Sequence, residues 1–469
     1  MDLKTASDVS ALLDEGAIQL FKASLQGRLL RPGDEGYDKA RIVWNGMIDR
    51  RPAMIARCLQ TDDVLNAVAF ARRYGLLVSV KGGGHNVAGN AVCEDGLMID
   101  LSLMNNVTVD PDKQIAVAGA GALWSDLDQE TQRYGLATTG GTVSHTGIAG
   151  LTLGGGLGWL MGKHGLTCDN LLSVQLVTAD ARVLTASKTE NKDLFWAIRG
   201  GGGNFGIVTS FMFQLHPVGP EVVGGMILYP MEQAKEVLQF YRDVARRQPD
   251  ALMLFAGLLT TPDGLPVIAL LVGWFGPTGE AEDRLREVRA FGNPLADLVQ
   301  AMPYSQLQGM FDAGMAHGIH RYWKSGYIRQ IDDAFINTIL TNVAKRTSPL
   351  AVVLFLHMKG AATRIEAGET AYGLRNDQWD FDIISQWTNP DEAPEQIAWV
   401  RNFWNEIEPF TQGVYVNHLD AEDGTSRIRA AYGPNYDRLT ELKAKYDPDN
   451  FFRLNNNISP LMPANHPTN

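Results

Sequence analysis

At 469 residues the chain exceeds what a single hydrophobic core organises, so two domains are expected. Hydrophobic residues make up 45% and charged residues 20%, the balance of an ordinary globular protein. A formal net charge of -12 excludes an electrostatic nucleic-acid binder, which needs clustered Lys and Arg.

The opening stretch, MDLKTASDVSALLDEGAIQLFKASL, is acidic where a secretory leader is basic, and no apolar segment follows. No run approaches the ~18 apolar residues of a membrane span, so a cytoplasmic protein with no membrane partner is expected. DDVLNAVAFARRYG predicts a helix over 62–75, with Asp caps and Gly75 as its stop. Cys58, Cys93 and Cys168 lack metal-ligand spacing and read as small buried hydrophobes; no metal is expected.

LLVSV follows as a short strand and runs into KGGGHNVAGN. GLMIDLS and QIAVAGAGA read as strands, LWSDLDQETQRYG as a helix ending at Gly135, and LLSVQLVTADARVLTA as a hairpin. From about residue 216 strand-rich segments alternate with long helices. ALMLFAGLLTTPDGLPVIALLVGWFG gives two strands around a Pro-Asp-Gly turn. EQAKEVLQFYRDVARRQ, DDAFINTILTNVAKRT and EAPEQIAWVRNFWNEIEPF are amphipathic helices. The pattern predicts an α+β protein, with an antiparallel sheet covered by helices on one face over 216–424. The tail gives a helix stopped by Asp-Pro and then an extended segment.

Glycine is concentrated in four clusters before residue 207: 82–84, 140–150, 154–158 and 200–206. Gly201 to Gly206 fits G-x-G-x-x-G, but a helix precedes it and a strand follows, the reverse of a dinucleotide fingerprint. Gly162-Lys163-His164 fails as a P-loop, because Leu157 and His164 occupy required positions. What remains is a set of Gly-rich turns at strand ends, whose backbone N–H groups suit an anion such as a pyrophosphate.

VKGGGHNVAGN, GGTVSHTGIAGLTLGGGLGWLMGKHGLTCDN, DLFWAIRGGGGNFGIVT and YDPDNFFRLNNNI, in this order, resemble the FAD-linked oxidases of the berberine-bridge-enzyme type. The resemblance covers nearly the whole chain. It implies a two-domain PCMH-type FAD-binding fold, with residues 1–215 and 425–469 forming the FAD domain and 216–424 the substrate domain. It further implies an 8α-histidyl flavin bond through His85 alone. Val143 stands where many members carry a second, cysteinyl tether, and Cys168 lies too late in the sequence to replace it.

The same resemblance assigns cofactor contacts to Lys81, Gly82, Gly83, Gly84, Asn86, Gly89 and Asn90. In the second cluster it assigns them to Gly141, Thr142, Val143, Thr146, Gly147 and Gly150, and then to Gly154, Gly156 and Gly158. Gly206, Ile207, Val208, Tyr415, Asn417, Asn455 and Asn457 complete the set, and Thr146 falls at the position that gates oxygen. Tyr415-Val416-Asn417-His418 aligns with a Tyr-x-Asn-Tyr strand that carries the family's base, and His357 with a second active-site position. His418 is therefore expected as the base, titrating near neutrality without a large shift, and His357 as a substrate contact. Tyr322, with Trp323 and Lys324, is expected to line the substrate cavity. The implied activity transfers hydride from an alcohol or amine carbon of a small molecule to FAD, with O2 reduced to H2O2. A dehydrogenase with another acceptor and a non-catalytic flavin binder are the alternatives.

Overall fold

The computed structural model describes residues 14–461; the ends of the sequence segments read above, 1–13 and 462–469, lie outside them. Three sheets carry the fold. A four-stranded sheet is built around the parallel strands Met54–Arg57, Leu97–Asp100 and Val78–Lys81, with Arg28–Leu30 antiparallel at one edge. A five-stranded antiparallel sheet follows, in which Ile207–Gln214 pairs with both Ile115–Gly119 and Leu171–Val177. The third is an eight-stranded antiparallel sheet drawn from residues 221–387.

One face of the large sheet is covered by the helices Ala234–Ala245, Asp333–Val343 and Ala393–Ile407. Ala234–Ala245 buries Val237, Leu238, Tyr241 and Val244, the spacing of one helical stripe. Each such burial contributes about 1.5–3 kcal/mol. The other face turns towards the glycine-rich loops. Strand geometry decides which side chains go where, because neighbours point to opposite faces. Along Gln378–Trp387, Trp379, Phe381 and Ile383 join the helix-side core, while Asp380, Asp382 and Ile384 face the other way. Val353 and Phe355 are likewise on the helix side, and Leu354, Leu356 and Met358 opposite.

Two local expectations are corrected. The helix Thr61–Tyr74 does stop at left-handed Gly75, but Gln60 occupies its N-cap without a side-chain bond. Asp63 is instead drawn under the chain, where its carboxylate accepts from the N–H groups of Gln26, Gly27 and Leu59. Residues 416–418 form a single 3-10 turn, where a strand was expected, because the chain leaves the large sheet before it.

The three glycines of KGGGH are explained by crowding. A Cβ on Gly83 would sit 2.3 Å from the backbone nitrogen of Gly147, and one on Gly147 2.4 Å from that of Gly83. The loop after Val78–Lys81 and the loop before helix Ile148–Leu153 thus touch backbone to backbone. Gly84 adopts φ +72, a region that disfavours side chains. Gly83→Ala is expected to cost about 1–3 kcal/mol through overpacking, read as a lower midpoint in chemical unfolding. An unchanged midpoint would mean the two loops move apart freely.

Candidate active site

Between the glycine loops and the large sheet lies a cavity of about 330 Å³. Its floor is backbone: Gly82, Gly83, Gly84, Gly141, Gly147, Gly150 and Gly206 line it, with Thr142, Val143, Thr146, Ile207 and Val208. His85, Asn86, Asn90, Tyr415, Asn417, His418 and Asn455 line it too, so much of the expected set converges on one space. Among lining glycines, Gly150 and Gly203 have nothing within 4 Å of a built Cβ, so a side chain there would occupy the ligand's room. Asn455 Oδ1 is buried, lines the same space and has no protein partner. A long cofactor with phosphates at one end fits this cradle, since buried polar atoms need partners.

Other expected contacts fall elsewhere. Lys81 turns away and donates to the carbonyls of Ala40 and Ile42 at 2.7 and 2.9 Å, propping the chain behind the loop. Gly89 packs against Ile48, and its carbonyl accepts from Arg50. Gly154 and Gly158 serve close packing: a Cβ would meet the Asn417 amide oxygen at 2.1 Å and the Gly140 carbonyl at 1.7 Å. Gly156 presses on Thr167, and its N–H donates to the Tyr415 hydroxyl at 2.9 Å. Asn457 lies off the cavity.

Strand parity overturns two of the three catalytic assignments. His357 is on the helix-covered face, stacked on Trp379 and bonded through Nε2 to Asp377 at 2.9 Å. Burial pushes its pKa down, although Asp377 opposes that. Tyr322 is also on the helix side, and its hydroxyl donates to Glu422 at 2.5 Å. Lys324 shares that parity and is buried against Asp420, Nζ to Oδ2 2.6 Å. Trp323, one residue over, is the one that faces the cavity.

The third assignment, His418, lines the cavity, but its charge state differs from the expectation. Its Nδ1 lies 3.1 Å from Asp380 Oδ2 and 3.0 Å from Asp382 Oδ1. Burial alone would lower its pKa, yet the two carboxylates outweigh burial and raise it to about 10. His418 is therefore an imidazolium at neutral pH and has no lone pair with which to accept a proton. Burial and the neighbouring Asp382 raise Asp380 to about 6, against the pull of His418. Asp382 is the carboxylate that lines the cavity, and Trp323 Nε1 donates to its Oδ1 at 2.9 Å. Asp382 is thus the cavity-lining carboxylate that faces His418. Its signal in the sequence was two acidic residues at i and i+2, interleaved with apolar Trp379, Phe381 and Ile383 in QWDFDIISQW.

His85 stands at another part of the wall. Its ring stacks on Trp44 at 4.9 Å between centroids, and its Nε2 is 2.9 Å from His145 Nδ1. Burial first, then His145, His317 and Arg321, hold its pKa well below the usual histidine range. It is neutral, as a nucleophilic nitrogen must be. Part of the remaining wall is apolar: Phe311, Met315, Leu354 and Leu356 join Trp323.

Cys168 is buried outside this space, beside Asp169 and Arg375. Burial pushes its thiol pKa far up, which removes the thiolate. Cys168→Ala is expected to leave FAD binding intact while costing on the order of 1 kcal/mol of stability. Loss of bound FAD in that variant would bring Cys168 into the cofactor site.

A glycine cradle facing a carboxylate-bearing sheet suits a long, phosphate-bearing redox cofactor, and comparison with known proteins names the class: a flavin-dependent oxidoreductase. Residues 52–187 match the family model described as FAD binding domain, and residues 414–459 the one described as Berberine and berberine like. An FAD-linked oxidoreductase of Dictyostelium discoideum is 33% identical, with 95% of this chain and 98% of that protein covered. (R)-6-hydroxynicotine oxidase of Paenarthrobacter nicotinovorans is 30% identical over 93% of this chain and 97% of its own length. The crystal structure of 6-hydroxy-D-nicotine oxidase from Arthrobacter nicotinovorans superposes with a TM-score of 0.85 at 29% identity, covering 93% of this chain and 98% of that one. The chain belongs to the berberine-bridge-like FAD-linked oxidoreductases.

Proposed function

We propose that the protein oxidises a carbon bearing a hydroxyl or amine in a small apolar or aromatic molecule, with FAD tethered through His85 and O2 as the final acceptor, giving H2O2. The observation that carries this reading is the pairing of Asp382 with imidazolium His418 on the same cavity wall as an apolar surface. FAD, when bound, supplies the hydride acceptor.

The protein supplies the proton chemistry and the seat. Asp382 takes the proton from the substrate's O–H or N–H, and His418 stabilises the carboxylate that must be ionised to do so. Trp323 fixes the Asp382 oxygen by its indole N–H. Phe311, Met315, Leu354 and Leu356 exclude water and offer contacts to rings and alkyl groups, where a sugar would need hydrogen-bond partners. The glycine loops and Asn455 hold the cofactor, and neutral His85 is the nucleophile for its attachment.

The test is anaerobic mixing with aromatic alcohols, cyclic amines and mono- or oligosaccharides. Bleaching of the flavin band by the first two classes supports the reading, and bleaching by sugars alone overturns the substrate class. Admitting air should restore the band with one H2O2 per turnover; a band that stays bleached would make the enzyme a dehydrogenase.

A further inference from the structure

Three imidazoles, those of His145, His317 and the cavity-lining His85, meet beside the cavity. One ligand nitrogen from each lies within 4.8 Å of the other two. The ring centroids are 4.8, 5.3 and 4.9 Å apart. A tetrahedral zinc ion with Zn–N bonds of ~2.0–2.1 Å spaces its ligand nitrogens about 3.3 Å and their rings roughly 5 Å apart. The observed spacing is within small side-chain rotations of one face of such a site.

The three residues come from separate loops: one after strand Val78–Lys81, one before helix Ile148–Leu153, one before strand His320–Ile328. No single helix periodicity forces them together. Trp44 braces the His85 ring from one side. Asp312, anchored by the backbone N–H of Ser144 at 2.8 Å, brings a carboxylate charge near His145. Two cations lie nearby and their charge opposes a bound cation: Arg321, 4.0 Å over Trp44, and Lys81, which donates to two carbonyls. Imidazole donors suit Zn, Cu, Ni and Co rather than Mg or Ca.

We infer that the flavin-free chain holds a transition-metal site, His85–His145–His317, and that an occupied site slows attachment of the flavin. The second part rests on the reading of His85 as the tether. A metal ion on one His85 nitrogen withdraws electron density from the ring and pins its plane, so the other nitrogen becomes a poorer nucleophile.

The experiment uses full-length protein made flavin-free by riboflavin limitation and titrated with Co2+ and then Zn2+. One Co2+ per chain with the visible absorption of a four-coordinate site is expected, displaced by Zn2+. His145→Ala and His317→Ala should each weaken binding at least tenfold, while both variants still bind FAD, which reports that they fold. Equal Co2+ affinity in the wild type and the double variant overturns the site. Zn2+ should slow the appearance of acid-stable flavin at least tenfold, with EDTA restoring it; an unchanged rate overturns the coupling. If metal-free wild type releases all its flavin in acid, the tether reading fails and the coupling with it, while the titration still decides the metal site.

Discussion

Asp382→Asn is expected to slow flavin reduction by about 10²–10⁴-fold, the range of a lost general base, with substrate affinity changed far less. The amide keeps the size of the side chain and an oxygen for Trp323 Nε1, while Asp380 remains to pair with His418. The fold therefore survives, and what is lost is the group that takes the proton. Rapid mixing under anaerobic conditions separates the two quantities, because the reduction rate and the apparent dissociation constant are read from the same traces. Reduction at the wild-type rate would return the role to another residue. His418→Gln makes the complementary case: it removes the positive charge that pulls the Asp380 pKa down, so the acid limb of the rate profile should move upward in pH. In the wild type that limb should fall near pH 6, where Asp380 takes up a proton as part of the coupled cluster. Below it the cluster has already gained a proton, its capacity to take one from the substrate falls, and the rate drops. The stability sign is opposite for His418. Its pKa is raised, so its contribution is complete below about 6.5, the unfolded value, and is lost as pH rises through about 10.

His85→Ala should release all flavin into the supernatant on acid denaturation, whereas wild-type protein should precipitate with its flavin attached. Neither of the positions read from the sequence as a further tether replaces it: Val143 is inert, and Cys168 is buried off the cavity beside Asp169 and Arg375. The variant should still bind FAD reversibly, since the glycine loops and Asn455 are untouched. Flavin retained after acid treatment of His85→Ala would point to a different covalent partner, and flavin released from the wild type would mean the cofactor is not tethered at all.

What the sequence made legible was local. Glycine clusters, Gly75 as a helix stop and the Pro-Asp-Gly hairpin each follow from a few adjacent residues, and so does the order of strands and helices. Most of the cavity-lining loop residues were readable for the same reason, because KGGGH and its partner cluster announce close backbone approach. The proton chemistry was not local. His418 comes from a turn after the large sheet, and Asp380 and Asp382 from a strand within it, so the shift in its pKa exists only once they meet. His357 and Tyr322 failed for a different reason. Each lies on the right strand one residue out of phase, and a period of two sends such a side chain through the sheet to the helices. Counting outward from the apolar helix-side residues Val353 and Phe355 would have shown it.

The aromatic run along the cavity has a consequence for how this enzyme can change over time. His85 stacks on Trp44, Trp44 meets Trp323 at 6.3 Å, and Trp323 meets His418 at 4.6 Å between ring centroids. Four rings from distant parts of the sequence thus form one seam from the proposed tether to the proton site. A substitution that tilts either tryptophan disturbs both ends at once, so the seam is a poor place to vary. Freedom to accept new substrates lies off it, in Phe311, Met315, Leu354 and Leu356, which shape the room without holding either chemical group. The fold separates a part that evolution must keep from a part it can alter.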